Sequence, residues 1–165
     1  MDNLTRIREK ICTLEELLRR ACVWRAAGER IVFTNGCFDL LHYGHICYLA
    51  QARDLGDHLV VGLNSTDSVR RLKGPRRPIN DEATRAYALA AMQMVDAVIF
   101  FDEDTPLLLI EALLPEVLVK GGDWRPEQIV GSSIVLTNGG QVLSLPFVEG
   151  YSTTSIEQKI RTQAL

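Results

Sequence analysis

The chain has 165 residues, 47% apolar and 24% charged, with a formal net charge of -3. That balance suits one globular domain with a real core and excludes a global attraction to nucleic acid or a membrane surface, so any phosphate-binding charge must be local. No apolar run approaches the roughly 18 to 20 residues that span a bilayer. The opening "MDNLTRIREK" lacks the apolar core of a signal peptide, and Cys12, Cys22, Cys37 and Cys47 form no CxxC pair. The expectation is a soluble cytoplasmic protein with reduced thiols.

In chain order, Thr13 followed by Glu16 reads as a capping box ahead of Leu17, Leu18, Ala21 and Val23, opening a helix to about Ala27. "RIVFTNG" then reads as a strand ended by Asn-Gly, and "ICYLAQARDLG" has helical spacing up to Gly56. The alternation continues with "HLVVGLN" as strand, "DEATRAYALAAMQMV" as helix, "DAVIFF" as strand, "TPLLLIEALL" as helix and "EVLVKGG" as strand. A weaker helix over Pro126 to Asn138, the strand "GQVLSLPF" and a last helix from about Ser152 complete the pattern. It predicts an α/β fold, a Rossmann-like doubly wound five-stranded parallel sheet in a single domain with an N-terminal helix. The expected division is an N-terminal helical extension over residues 1–28 and the main domain over residues 29–165.

Such sheets bind ligands beyond the strand C-terminal ends, where strand order reverses. There "TNGCFDLLHYGH" places His42 and His45 around the start of a helix, whose unpaired N–H groups and positive dipole end suit a phosphate. Gly36 and Gly44 let the backbone approach closely, and two imidazoles can donate to oxygens that gain charge during phosphoryl or nucleotidyl transfer. The competing reading, a turn cap plus a satisfied ring, suits a lone histidine better than a pair at this point of the fold. A zinc site through Cys37, Asp39 or Cys47 has no recognised ligand spacing, and neither GxxxxGK[ST] nor GxGxxG occurs.

"RRLKGPRR" holds five basic residues in eight, Arg70 to Arg77. It is a solvated face or, as a loop after the second strand, a lid of cations over the site, with Lys73 nearest the reacting phosphate. Interleaved aromatics, which a nucleic-acid patch would need, are missing. Arg85 reads as a surface ion pair with Asp81 or Glu82. In "KGGDW", Lys120, Gly121 and Asp123 end the fourth strand, where backbone can approach a base or ribose and Asp123 can accept hydroxyl hydrogen bonds. Trp124 is a stacking surface or a lid anchor.

"GCFDLLHYGH" resembles the first signature of the HxGH nucleotidyltransferase superfamily, and "EGYSTTSI", about a hundred residues later, resembles its second. Together they would bring two helix starts to one triphosphate. The resemblance implies that Ser152, Thr153 and Thr154, with Gly150, hold the β- and γ-phosphates, though Ser152 alone reads better as an ordinary cap. It extends nucleotide and phosphate contacts to Thr34, Asn35, Gly36, Cys37, Phe38 and Gly44. It also implies that Asp39, Asn64, Arg71, Arg77 and Arg85 serve the acceptor phosphate, Asp39 by orienting a histidine or the metal shell.

Over most of its length the chain is similar to the bacterial heptose 1-phosphate adenylyltransferases, in some bacteria a C-terminal domain fused to a sugar kinase and here expected in stand-alone form. Relatives that use CTP carry an arginine where this chain has Phe147. The implied reaction transfers AMP from ATP to D-glycero-β-D-manno-heptose 1-phosphate, giving ADP-heptose and pyrophosphate, with His42, His45 and Lys73 catalytic. Mg²⁺ arrives with ATP and no direct side-chain metal ligand is expected. The implied partners are ATP and a sugar 1-phosphate, with neither nucleic acid nor membrane, and at least a homodimer in which Trp24 is a candidate contact. The rivals are a CTP-dependent cytidylyltransferase for an alcohol phosphate, and a nucleotide sensor or flavodoxin-like module without turnover.

Overall fold

The structure, a computed structural model, describes residues 2–163. In chain order it comprises α1 (Asn3–Lys10), α2 (Leu14–Ala26), β1 (Ile31–Gly36), α3 (Tyr43–Arg53), β2 (His58–Asn64), α4 (Thr66–Lys73) and α5 (Glu82–Ala90). Then come β3 (Ala97–Phe101), α6 (Leu107–Leu113), β4 (Val117–Gly121), a 3₁₀ turn (Pro126–Gln128), α7 (Ser132–Thr137), β5 (Gln141–Leu145) and α8 (Thr153–Gln163).

The five strands form one parallel sheet in the order β3-β2-β1-β4-β5. The chain winds outward from β1 to β3, then returns through α6 to lay β4 on the other side of β1. Strand order therefore reverses between β1 and β4. Because crossover helices cover both faces, the strand centres are mostly apolar and alternate residues feed two cores. Ile31, Phe33, Val60 and Leu118 pack with α2, α6 and α7, while Val32, Leu59, Val61 and Val119 pack with α3 and α5.

Local chemistry explains most boundaries. Thr13 accepts from the Glu16 N–H while the Glu16 carboxylate reaches back to Thr13, the expected capping box. Leu17 and Ala21 of that helix are 1% exposed, within the sheet's own core. The ring of Trp24 stacks on His58 at 4.1 Å and is half-buried, less exposed than its position on the helix suggests.

Four boundaries differ from the pattern reading. α1 was not foreseen; Asp2 caps it by accepting from Thr5 N–H. The stretch taken as a loop after β2 begins as the helix α4, capped by Ser65 and anchored by fully buried Val69. α5 stops at Ala90, and the chain reaches β3 through a turn. The single helix expected over 126–138 is split, because Gly131 takes a left-handed φ of +85° where a Cβ would meet Ile110 at 2.7 Å.

Candidate active site

A cavity of about 620 Å³ opens at the C-terminal ends of the strands, at the reversal between β1 and β4. β1 brings Asn35 and Gly36 to it, β4 brings Lys120 and Gly121, α3 brings His42, Gly44 and His45, and the end of α4 brings Lys73. The segment entering α8 supplies Phe147 to Thr153 and then Ser155. Cys37, Phe38 and Asp39 complete the β1–α3 side.

The histidines stack on each other, ring centroids 3.8 Å apart and 28° from parallel. Each has its Nδ1 enclosed without a hydrogen-bond partner, which leaves Nε2 as the nitrogen for a ligand. Burial, the neighbouring His42 and Lys73 push the His45 imidazole from the ordinary 6.5 down to about 4, and burial lowers His42 as well. Both rings are therefore neutral at pH 7, each with one N–H to donate. His42 is the N-cap of α3 yet makes no side-chain cap bond, so that helix start remains open to an anion. Gly44 sits in a crowded place: a Cβ there would lie 3.1 Å from the His42 ring and 3.3 Å from Tyr151 Cβ. Phe38 holds a left-handed φ of 42°, a conformation that costs a non-glycine residue of order 1 kcal/mol or more and concentrates at functional sites.

Opposite, Ser152 caps α8. Its hydroxyl accepts from Ser155 N–H at 3.1 Å, and Ser155 Oγ accepts from Ser152 N–H at 3.3 Å. Thr153 lines the cavity beside them, while Thr154 is exposed and does not. On the β4 side Lys120 Nζ donates to Asn35 Oδ1 at 3.2 Å, and burial lowers its pKa. Asp123 is exposed outside the cavity lining.

Several side chains expected to touch substrate make contacts within the walls of the site. Thr34 is fully buried, its hydroxyl 2.6 Å from the Tyr48 hydroxyl, which in turn donates to the Val119 carbonyl at 3.3 Å. Asp39 does not orient a histidine: its carboxylate accepts from Ile79 and Asn80 N–H at 2.8 Å and pairs with Arg77 Nε at 3.2 Å. Arg77 also donates to Glu157 of α8. Arg71 turns away to Asp104, 3.0 Å off, and Asn64 is buried against Ser68. Arg85 is no surface ion pair; it is 1% exposed and donates to the Asn64 and Cys37 carbonyls at 2.7 and 3.0 Å. A buried guanidinium here ties together the ends of β1 and β2.

Sequence reasoning missed Tyr48, Val148, Glu149, Tyr151 and Ser155 as cavity residues, and saw Phe147 only as a departure from an arginine. The helical spacing Ser152 to Ser155 was an available signal for the last. Among the described residues no group of three or more His, Cys, Asp or Glu side chains is placed to hold a metal. None of the helices is long and apolar enough to cross a membrane among the described residues.

The cytidylyltransferase-like family matches residues 33–159. The chain is 57% identical to the bifunctional protein HldE of Geotalea uraniireducens over 156 residues, 94% of this chain and 32% of that protein. Against the bifunctional protein HldE of Geobacter metallireducens identity is 60% over 136 residues, 82% of this chain and 28% of that protein. The chain thus spans about a third of the length of these relatives. The crystal structure of the lipopolysaccharide core biosynthesis protein from Thermoplasma volcanium superposes with a TM-score of 0.60 at 29% identity, covering 76% of this chain and 100% of that one. Pantothenate synthetase from Thermus thermophilus, 19% identical with a TM-score of 0.58 over 94% of this chain and 70% of its own, shares the fold.

Proposed function

We propose a reaction for this chain from one premise: it belongs to the cytidylyltransferase-like family. The reaction transfers AMP from ATP to D-glycero-β-D-manno-heptose 1-phosphate, giving ADP-heptose and pyrophosphate for the lipopolysaccharide core. The observation that carries it is the stacked, neutral pair His42 and His45 at an uncapped helix start, facing the start of α8 across one cavity. The similarity to two HldE proteins and to a lipopolysaccharide core biosynthesis protein supports the choice of acceptor. Residues 29–165 would form the transferase unit, in the cytoplasm, with residues 1–28 as an extension packed on it.

The sugar phosphate is already an anionic nucleophile. One of its oxygens attacks the α-phosphorus in line, the bond to the β-phosphate oxygen breaks, and pyrophosphate leaves; no general base is needed. Catalysis is then positioning and charge stabilisation. His42 and His45 donate N–H groups to the α-phosphate and the leaving oxygens, and Lys73 adds a mobile cation. Backbone N–H groups at the start of α8, with the Thr153 hydroxyl, hold the outer phosphates. Lys120 and the Gly121 backbone flank the nucleoside. Asp39 and Glu149 are the carboxylates on the lining. With Asp39 engaged by the 77–80 loop, Glu149 is the remaining carboxylate that would help hold a magnesium ion bound mainly by the triphosphate, whose charge it would neutralise.

The test is pyrophosphate release with ATP and heptose 1-phosphate against CTP and glycerol 3-phosphate. Turnover with the first pair is expected. Activity confined to CTP overturns the assignment, and tight ATP binding without pyrophosphate from any acceptor marks a sensor instead. Sedimentation velocity reads the expected dimer or higher oligomer.

A further inference from the structure

The second half of the cavity is attached in an unusual way. No residue of α8 is buried, so apolar packing does little to hold that helix in place. Its entry segment rests on α3 through the tilted ring pair Tyr43 and Tyr151, centroids 5.0 Å apart. Beyond that lies a chain of charged groups. Arg77 Nε pairs with Asp39 at 3.2 Å, Arg77 Nη1 pairs with Glu157 of α8, and the Asp39 carboxylate is fixed by Ile79 and Asn80 N–H groups. The side chains of Asp39, Arg77 and Glu157 are 1%, 14% and 28% exposed, so the link is largely shielded from solvent. Arg77 and Glu157 do not line the cavity.

We infer that Arg77 and Glu157 are positioning residues, which dock the start of α8 against the histidine loop and so set the width of the nucleotide site. This role rests on the nucleotidyl-transfer reading above. A guanidinium presents separate edges to two carboxylates, which the point charge of a lysine cannot do. When the brace is weakened, a fraction of molecules holds Ser152 and Thr153 out of place. Apparent nucleotide affinity then falls in proportion to the docked fraction. The chemical step, carried by groups on α3 and α4, is left intact once nucleotide is bound, so the effect falls on binding and not on turnover.

Glu157→Gln is the informative variant, because it leaves Arg77 on Asp39 and orphans no buried carboxylate. With Mg-ATP as the probe, calorimetric Kd and the KM for ATP should both rise roughly five- to tenfold while kcat stays within about twofold. Hydrogen exchange in the ligand-free protein should quicken across residues 153–163 and stay unchanged in α3. Arg77→Lys should behave alike, and the double variant should be no worse than the poorer single one, since both remove the same link. Unchanged exchange and affinity in Glu157→Gln overturn the inference. So does additivity of the two substitutions, or a fall in kcat at constant KM, which would put Arg77 at the reacting phosphate. If the wild-type protein neither binds ATP nor releases pyrophosphate, the reaction assigned above fails, and exchange in α8 alone still decides the brace.

Discussion

Two helix starts face each other across the cavity and are built in opposite ways. α3 sends Tyr48, Leu49 and Ala52 into the core, so the histidines at its start stand on a rigid base. α8 buries no residue and is held by one guanidinium, one aromatic pair and its own serine cap. The half that must place charge within tenths of an ångström of a reacting phosphorus is fixed by packing, and the half that grips the outer phosphates is adjustable.

The largest expected difference is chemical. His45→Ala should lower turnover about 10²- to 10³-fold with little change in ATP affinity or melting temperature, as loss of a preorganised donor does. Steady-state pyrophosphate release and calorimetry read this, and wild-type turnover in the variant would remove the α3 side from the chemistry.

Stability should divide the same way. Leu49 is 0% exposed and Ile160 is 59% exposed. Leu49→Ala should cost about 2–5 kcal/mol in urea unfolding, and Ile160→Ala should stay within about 0.5 kcal/mol. Equal costs would mean that α8 is as firmly packed as α3.

Acid should act on the α3 side first. The folded His45 imidazole lies near 4, below the ordinary 6.5, so the unfolded chain binds more protons between those values. The stabilising contribution of the neutral ring is complete above about pH 6.5 and is lost as pH falls toward 4. His45→Gln should flatten this part of the stability profile. A local effect is expected from Ser152→Ala, where loss of the cap costs about 1 kcal/mol, felt as faster exchange in the first turn of α8.

The sheet, its order reversal and the histidine pair were legible because each rests on short-range pattern: apolar runs, a capping box, glycine at a crowded turn. α4 was misread because five cations obscured one buried valine at helical spacing from its serine cap. What the pattern does not carry is the direction of a long side chain. Arg71 and Arg77 lie in the same basic run, yet one turns to Asp104 and the other to Asp39 and Glu157. Those partners are 33, 38 and 80 positions away in the chain, and only the assembled fold brings them within reach. Thr34 likewise sits two residues before the signature yet points into the core, because the site-facing register of β1 begins one residue later.

Leu17 and Ala21 of α2 also set where the chain can be shortened. They share the core on one face of the sheet with Phe33 and Leu118, and Ile11 bridges to Val98 on the outer edge of β3. A fragment starting at Glu29 would keep every cavity residue and expose an oily β-surface to solvent. Such a surface drives aggregation during expression, so the leading helices act as a built-in solubility cover.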